Sequence, residues 1–297
     1  RTPRSSVLDE VLLHWSPQDP WTVRDATQGT LILGATGAGK SSGSGKELAI
    51  AMLARGFGGI VCTAKAEETD LWRRYCDETG RSDDLVVFDA SGGHKFNFLD
   101  FERTRDGAGA GLTENVVSLF STVLEVAERG GAEGGGREDS GYWRRANRQL
   151  CRNAVDLVLL AGAKLSVPEL YRLVISAPQS LEQVRSEEWR QRSLLFRRLG
   201  EADRRGKTER EQRDFEIVAD YWLVEFPTLS EKTRSVVVST FSSMIDVLNR
   251  GLLRELFCGE TTITPQAVEE GKVIVIDLPV KEFAEVGKAE FAQGKAA

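Results

Sequence analysis

The sequence predicts an α/β protein in which a parallel β-sheet, flanked by helices on both faces, is interrupted by a long helical insert. Three observations predict this fold class. Apolar runs and amphipathic segments alternate through residues 30–89, a glycine-rich turn follows the first apolar run, and an apolar run over 272–277 returns after a long stretch of helical patterns. Alternation of this kind is typical of βαβ units, whose strands are parallel.

Each predicted element rests on a local pattern. Residues 1–29 are polar, contain Trp15 and Trp21, and are expected to pack on the main domain as a leader. Apolar residues at helical spacing predict a helix over 41–55, and an amphipathic pattern predicts another over 67–79. Short apolar runs bounded by glycine or polar residues predict buried strands over 30–33, 60–62, 84–89 and 272–277.

The predicted organisation has three segments. Residues 1–106 form the first part of the α/β core, 107–258 form an all-α insert, and 259–297 return to the core. A glycine-alanine run over 107–111 marks the first boundary. Within the insert, helices are expected over 140–160, from Val167, and as a helical hairpin in the densely charged stretch 185–213.

Composition narrows the class of protein. The chain has 297 residues, 41% hydrophobic and 28% charged, and none of its apolar runs approaches the ~18 residues that a spanning helix needs. Its four cysteines form no CxxC pair, and it has two histidines, so a zinc site is not expected. The sequence therefore predicts reduced thiols in a cytosolic compartment.

Charge is distributed unevenly. The whole chain has a net charge of -6, yet residues 137–213 contain 17 lysine and arginine against 11 aspartate and glutamate residues, a net charge of +6. Solvated helical faces and a surface that contacts a polyanion explain this balance equally well.

One motif has a direct chemical meaning. The stretch GATGAGKS matches the phosphate-binding loop GxxxxGK[ST], with a predicted strand before it and a helix after it. Glycines permit the backbone N–H groups to wrap a phosphate, Lys40 reaches the β and γ oxygens, and Ser41 is a ligand for Mg²⁺. The candidate phosphate-binding residues are Gly34, Ala35, Thr36, Gly37, Ala38, Gly39, Lys40 and Ser41.

The motif predicts that the protein binds a nucleotide, but it does not predict the reaction or process in which the nucleotide is used. GTPases need an NKxD motif, which the sequence lacks, and the DxxG match over 77–80 follows no predicted strand. ATP is therefore the expected nucleotide, with Mg²⁺ as its cation. A phosphotransferase acting on a small substrate and a nucleotide-dependent assembly module without turnover both stay open as alternatives to a motor.

Further segments, in the same order along the chain, resemble the type IV coupling proteins of conjugation and secretion, of the TraG/TraD type. Lys65 matches the lysine that this family places just after its second strand, although Thr63-Ala64 stands where the family usually has Asp-Pro. The other segments that carry the resemblance are VFD over 87–89, HKFNFLD over 94–100, YWRRA over 142–146 and GKVIVIDLP over 271–279.

This resemblance implies a RecA-like P-loop motor ATPase with an all-α insert, which couples ATP hydrolysis to DNA transfer. It implies a hexameric ring at the cytoplasmic face of the bacterial inner membrane, with DNA, expected to be single-stranded, in its channel. Relaxase or secretion-channel proteins are the implied protein partners. Any membrane association is expected through segments outside this sequence or through partners.

The catalytic acids are not evident in the sequence. Asp277 ends an apolar run, and it is either a magnesium ligand or, as the sequence favours, an ordinary strand-end residue. Arg250 and Arg254 are either arginine fingers or, more simply, surface charges. Because the family has its Asp-Glu pair on a later strand, we expect residues 1–297 to bind ATP and turn it over negligibly, with the missing acids beyond Ala297.

Overall fold

The computed structural model describes residues 7–35, 37–63, 65, 67–129 and 140–278. These residues form a mixed α/β protein with a three-stranded parallel sheet, as the sequence predicts at this level. They divide into two compact units. The first contains the described residues up to Asp89 and those from Pro265 onward, and the second contains the described residues between Ala90 and Thr264.

The first unit begins with an antiparallel hairpin, strands β1 (Val11–Ser16) and β2 (Asp19–Thr22), followed by the short helix α1 (Val23–Thr27). Leu12 and Trp21 are buried in one cluster with Leu48. The predicted leader is therefore a hairpin, and it packs within the first unit. Its two-strand pairing is not evident from the sequence, because Pro17 and Pro20 obscure the alternation.

Two helices and three strands complete this unit. They are α2 (Ser44–Leu53), β3 (Gly59–Cys62), α3 (Glu67–Glu78), β4 (Leu85–Asp89) and β5 (Val273–Asp277), with 3₁₀ turns over Val7–Asp9, Ser82–Asp84 and Pro265–Val268. The sheet order is β3-β5-β4, and all pairs are parallel. Val273 and Val275 of the central strand pack in one core with residues of α2 and α3, which cover that face.

The predicted strand over 30–33 is wrong. No strand is assigned there in the described part of the chain, and Leu31 and Leu33 are each 81% exposed. Ile32 alone of the three apolar residues packs against the cluster around Leu48. A short apolar run becomes a strand only where a neighbouring strand pairs with it, which local sequence cannot reveal.

The second unit is helical. Its helices are α4 (Phe98–Thr104), α5 (Thr113–Arg129), α6 (Ser140–Leu160), α7 (Val167–Ile175), α8 (Leu181–Arg185), α9 (Glu187–Arg192), α10 (Leu194–Arg204), α11 (Glu209–Asp220), α12 (Phe226–Thr228), α13 (Glu231–Asp246) and α14 (Gly251–Phe257). A π-helical turn, Tyr221–Glu225, and a 3₁₀ turn, Val247–Asn249, join neighbouring helices.

Helix α6 is central to this unit. Its residues Leu150, Ala154 and Leu157 are fully buried, and α6 packs against α5, α7, α10, α11 and α13. Trp222 is also fully buried, and its indole N–H donates to the carbonyl of Asn153 at 3.2 Å. The helical prediction for this region is therefore confirmed in its described part.

Serine and threonine caps divide the charged stretch 185–213, which the sequence predicted as one hairpin. The hydroxyls of Ser186, Ser193 and Thr208 each accept a hydrogen bond from the backbone N–H three residues on, and they begin α9, α10 and α11. Each cap starts a new helix because it satisfies a donor that the helix itself leaves free. The stretch is three short helices rather than a hairpin.

The two ends of the helical unit are fastened to each other. The backbone N–H of Lys95 donates to Thr262 Oγ1 at 2.8 Å, and the backbone N–H of Thr262 donates to the carbonyl of Lys95 at 2.8 Å. The buried amide of Asn97 donates to the carbonyls of Leu165 and Gly259. Residues 90–106 and 259–264 belong to the helical unit, whereas the sequence prediction counted them with the α/β core.

Candidate nucleotide-binding site

Two glycines of the loop have a left-handed backbone, although the strand predicted before the loop is not formed and α2 begins only at Ser44. Gly37 has a φ of 80° and Gly39 a φ of 76°, in the left-handed region that other residues adopt at a cost. A Cβ atom at Gly37 would meet nothing within 4 Å, and one at Gly39 would be 3.7 Å from Ser42 Oγ. Both glycines are therefore required for conformation rather than space. Thr36 lies outside the described residues.

Two glycines that follow the motif are required for space. The N–H of Gly43 donates to the carbonyl of Gly39 at 2.7 Å, and that of Gly45 to the carbonyl of Lys40 at 2.8 Å. A Cβ at Gly43 would be 2.9 Å from Gly39 O, and one at Gly45 2.8 Å from Lys40 O. The sequence analysis missed this role, although a GKSSGSG run in which glycine recurs after the motif is a signal for it.

This tight turn also corrects the predicted start of α2. The helix begins at Ser44 rather than at residue 41, because Gly43 leaves the helical region with a ψ of -104°. Serine and glycine are weak helix formers, and the run Ser41 to Gly45 contains nothing else. The residues that precede α2 thus form a separate turn.

The side chain of Lys40 folds back over the start of the loop. Its Nζ donates to the carbonyl oxygens of Gly34 at 2.7 Å and Ala35 at 2.8 Å. The lysine stem lies over Gly34, where a Cβ would be 3.2 Å from Lys40 Cγ. The loop is therefore closed by an ammonium group held on neutral carbonyls, and a charged phosphate oxygen is a stronger acceptor than either of them.

The backbone between the lysine and the helix offers donors. Within the described residues, the N–H groups of Gly39, Lys40 and Ser41 have no acceptor, and they lie in the turn that precedes α2. Successive free N–H groups at such a turn are suited to an anion.

Tyr75 of α3 fastens this turn to the rest of the unit. Its hydroxyl donates to the carbonyl of Ser41 at 3.3 Å, and the side chain is 3% exposed. Burial raises the pKa of the Tyr75 phenol, which keeps it a donor at neutral pH. Lys46 Nζ lies 5.8 Å from the Tyr75 ring centroid and pairs with Glu78. No sequence motif points to Tyr75, because the contact joins residues 34 positions apart.

Asp277 ends the central strand of the sheet. It is in register with Asp89 of β4, and it shares the face of Val273 and Val275, which α2 and α3 cover. Its Oδ1 atom is buried and has no hydrogen-bond donor among the described residues. Since a buried carboxylate oxygen without a partner is costly, this atom is suited to a cation or to water bound to one.

Lys65 is exposed in the connection between β3 and α3, and its carbonyl accepts the N–H of Glu68 at 3.0 Å. Because all three strands are parallel, Lys65 follows the same edge of the sheet at which Asp89 and Asp277 end. Ligands of open parallel sheets bind outside this edge. Lys40 and Ser41 are brought together in one loop, while Lys65 and Asp277 are placed by the sheet.

Four arginines of the basic segment differ in their contacts. Arg198 pairs with Glu169 and Glu201, both at 2.6 Å, and Arg205 donates to the carbonyls at the end of α6. Arg197 and Arg204 are exposed. Arg198 and Arg205 thus bond within the helical unit, although Arg205 is also exposed, whereas Arg197 and Arg204 make no such bond among the described residues.

No family model, curated protein or solved structure matches this chain. Within the described residues no single helix has the length and apolar composition to cross a bilayer; the helix pair Glu231–Asn249 and Gly251–Phe257, bent by 81°, meets both criteria together.

Proposed function

We propose that this chain binds ATP with Mg²⁺ through residues 34–41 and acts as a RecA-like motor ATPase that drives DNA transfer in conjugation or type IV secretion. The observation that carries the nucleotide proposal is the loop itself, in which left-handed Gly37 and Gly39 flank the turn before Lys40. The order of segments along the chain, with a helical unit inserted before β5, supports the motor proposal.

In the proposed site, the residues of the loop and Asp277 contact different parts of the bound triphosphate and its cation. The free N–H groups of Gly39, Lys40 and Ser41 bind phosphate oxygens. Lys40 exchanges the carbonyls of Gly34 and Ala35 for the β and γ oxygens, a gain because both partners are then charged. Ser41 and Asp277 are the residues that would hold Mg²⁺, and the cation, when bound, neutralises phosphate charge. The orphaned oxygen of Asp277 fits this assignment.

Equilibrium binding of ATP in the presence of Mg²⁺ tests the nucleotide proposal. We expect Lys40→Ala to weaken binding at least tenfold while the thermal unfolding midpoint stays unchanged, because the Lys40 side chain serves the loop and not the core. Lys232→Ala, which removes an exposed lysine of α13, is the control. Equal affinities in the two variants would refute the site.

The motor proposal needs a separate measurement. In the full-length protein, we expect the rate of ATP hydrolysis to rise when single-stranded DNA is added. A small-substrate phosphotransferase would ignore the DNA, and an assembly module would bind ATP and change its oligomeric state without turnover. In a separate titration with ATP at graded Mg²⁺ concentrations, Asp277→Asn is expected to raise the Mg²⁺ concentration required for ATP binding.

A further inference from the structure

A cavity of about 650 Å³ opens in the helical unit between the first turn of α7 and helix α14. Its size is in the range of small-molecule sites. The charged residues that line it are Lys95, Glu169, Arg172, Arg254 and Glu255, and the buried thiol of Cys258 also lines it.

Three cations line this cavity without an ion pair, of which Arg172 and Arg254 are exposed and Lys95 is half-buried. Within the described part of the chain, no carboxylate lies in ion-pair distance of Lys95, Arg172 or Arg254. Arg250, one helical turn before Arg254, pairs with Asp246 at 2.7 Å. The three cations at the cavity therefore lack the acidic partner that the neighbouring Arg250 has.

The carboxylates of the cavity leave it positive. Glu169 accepts the Nε–H of Arg198 at 2.6 Å and is 14% exposed, so its charge is compensated from outside the cavity. Glu255 is the other carboxylate of the lining. Burial raises the pKa of Cys258 to about 12, and the thiol donates to the carbonyl of Leu248, so this wall adds no negative charge.

Several backbone groups around the cavity are already hydrogen-bonded. The N–H of Glu169 donates to the Ser166 hydroxyl, Pro168 has no N–H, and both backbone groups of Lys95 are bonded to Thr262. A ligand in the cavity would contact the three cationic side chains that line it.

We propose that this cavity binds a phosphoryl group, with Arg172 and Arg254 as guanidinium ligands and Lys95 as a third charge. A phosphoryl dianion matches several cations that line one cavity better than a single carboxylate does, and arginine contacts it in a bidentate manner. The group belongs to a small phosphorylated molecule or to a nucleic-acid backbone. The proposal is independent of the loop at 34–41.

Calorimetric titration with inorganic pyrophosphate tests the proposal, in the Lys40→Ala chain so that the loop contributes little. We expect saturable binding that weakens at least tenfold in Arg172→Gln/Arg254→Gln. The control is Arg192→Gln/Arg213→Gln, which removes two exposed arginines of the same unit away from the cavity and is expected to bind as the parent does. Thermal unfolding checks that both double variants fold.

A single-stranded oligonucleotide, titrated into the same three proteins, identifies the source of the phosphoryl group. Pyrophosphate binding that depends on Arg172 and Arg254, with oligonucleotide binding that does not, indicates a small ligand. Oligonucleotide binding that depends on both arginines indicates a nucleic-acid backbone. If neither probe loses affinity in the cavity variant while it remains folded, the proposal is wrong.

Discussion

The phenol of Tyr75 donates a hydrogen bond to the carbonyl of Ser41, so helix α3 holds the last residue of the phosphate motif from outside the loop. Tyr75 belongs to the core between α2, α3 and β5, where it packs with Cys76, Ala49 and Val275. The position of the loop is thus coupled to the packing of the sheet.

Removing this hydrogen bond tests the coupling. We expect Tyr75→Phe to weaken ATP binding about fivefold, since a neutral hydrogen bond contributes roughly 1 kcal/mol and the ring itself is retained. Equilibrium titration with ATP and Mg²⁺ measures the change. Tyr171→Phe, in the helical unit, is the matched control and is expected to leave the affinity unchanged; an equal effect of both substitutions would contradict the coupling.

Replacing a helical glycine by alanine is expected to change the stability in opposite directions at Gly45 and at Gly200. Gly45→Ala places a Cβ 2.8 Å from the carbonyl of Lys40, so we expect it to destabilise the fold by about 1–3 kcal/mol and to weaken ATP binding. Gly200→Ala in α10 makes an ordinary contact of 3.5 Å with Arg204, and the better helix propensity of alanine is expected to stabilise by about 0.5–1 kcal/mol. Chemical denaturation of both variants measures the two signs.

The exposed arginines of α10 are the ones expected to meet DNA. Neutralising Arg197 and Arg204 together should lower DNA affinity and reduce the slope of log affinity against log salt by roughly 1.4–1.8 without a change in stability. Neutralising Arg198, which bridges two half-buried glutamates, should instead destabilise the fold by about 1–3 kcal/mol. An unchanged salt slope in the Arg197 and Arg204 variant would assign both charges to solvation.

Replacing the buried carboxyl of Asp156 is expected to stabilise the protein by an amount that depends on pH. Burial raises the pKa of this carboxyl above its usual 3.8, and the Thr113 hydroxyl, which donates to it, opposes the shift only partly. The folded state therefore disfavours the ionised form, and the cost grows as the pH rises above 3.8 and is complete above the folded pKa.

We accordingly expect Asp156→Asn to stabilise the protein at pH 7 and to lose that gain as the pH falls from the raised folded pKa towards about 3.8. Thermal midpoints measured across pH 3–8 give the profile. Asp203→Asn, at an exposed position, is the control and is expected to give a flat difference. A gain for Asp156→Asn that persists at pH 3 would point to packing rather than to charge.

The elements that the sequence predicts well are those with a strong local signal. Helix α3 and strands β3, β4 and β5 lie within a residue or two of their predicted limits, because amphipathic spacing and apolar runs are properties of neighbouring residues. Residues 30–33 also contain a short apolar run, but they do not form a strand, because strand formation also requires a neighbouring strand to pair with. The sheet order could not be predicted, since β5 comes from the far end of the chain.

The candidate site shows the same division. The motif predicted glycines with backbone angles that other residues resist, and Gly37 and Gly39 have such angles. The contact of Lys40 with phosphate oxygens stays a prediction, and its hydrogen bonds to the carbonyls of Gly34 and Ala35 were not predicted. Tyr75 and the orphaned oxygen of Asp277 depend on which side chains the fold brings near, so no local pattern marks them.

The fastening of Lys95 to Thr262 has a consequence for how the chain folds during synthesis. Strand β5 pairs with β3 and β4 but is made after the whole helical unit, so the sheet cannot form when its first two strands leave the ribosome. Closing so long a loop as an unstructured chain would cost entropy, whereas a helical unit that folds first brings residues 95 and 262 together. Mutations that slow folding of the helical unit are therefore expected to delay pairing of β5 with β3 and β4.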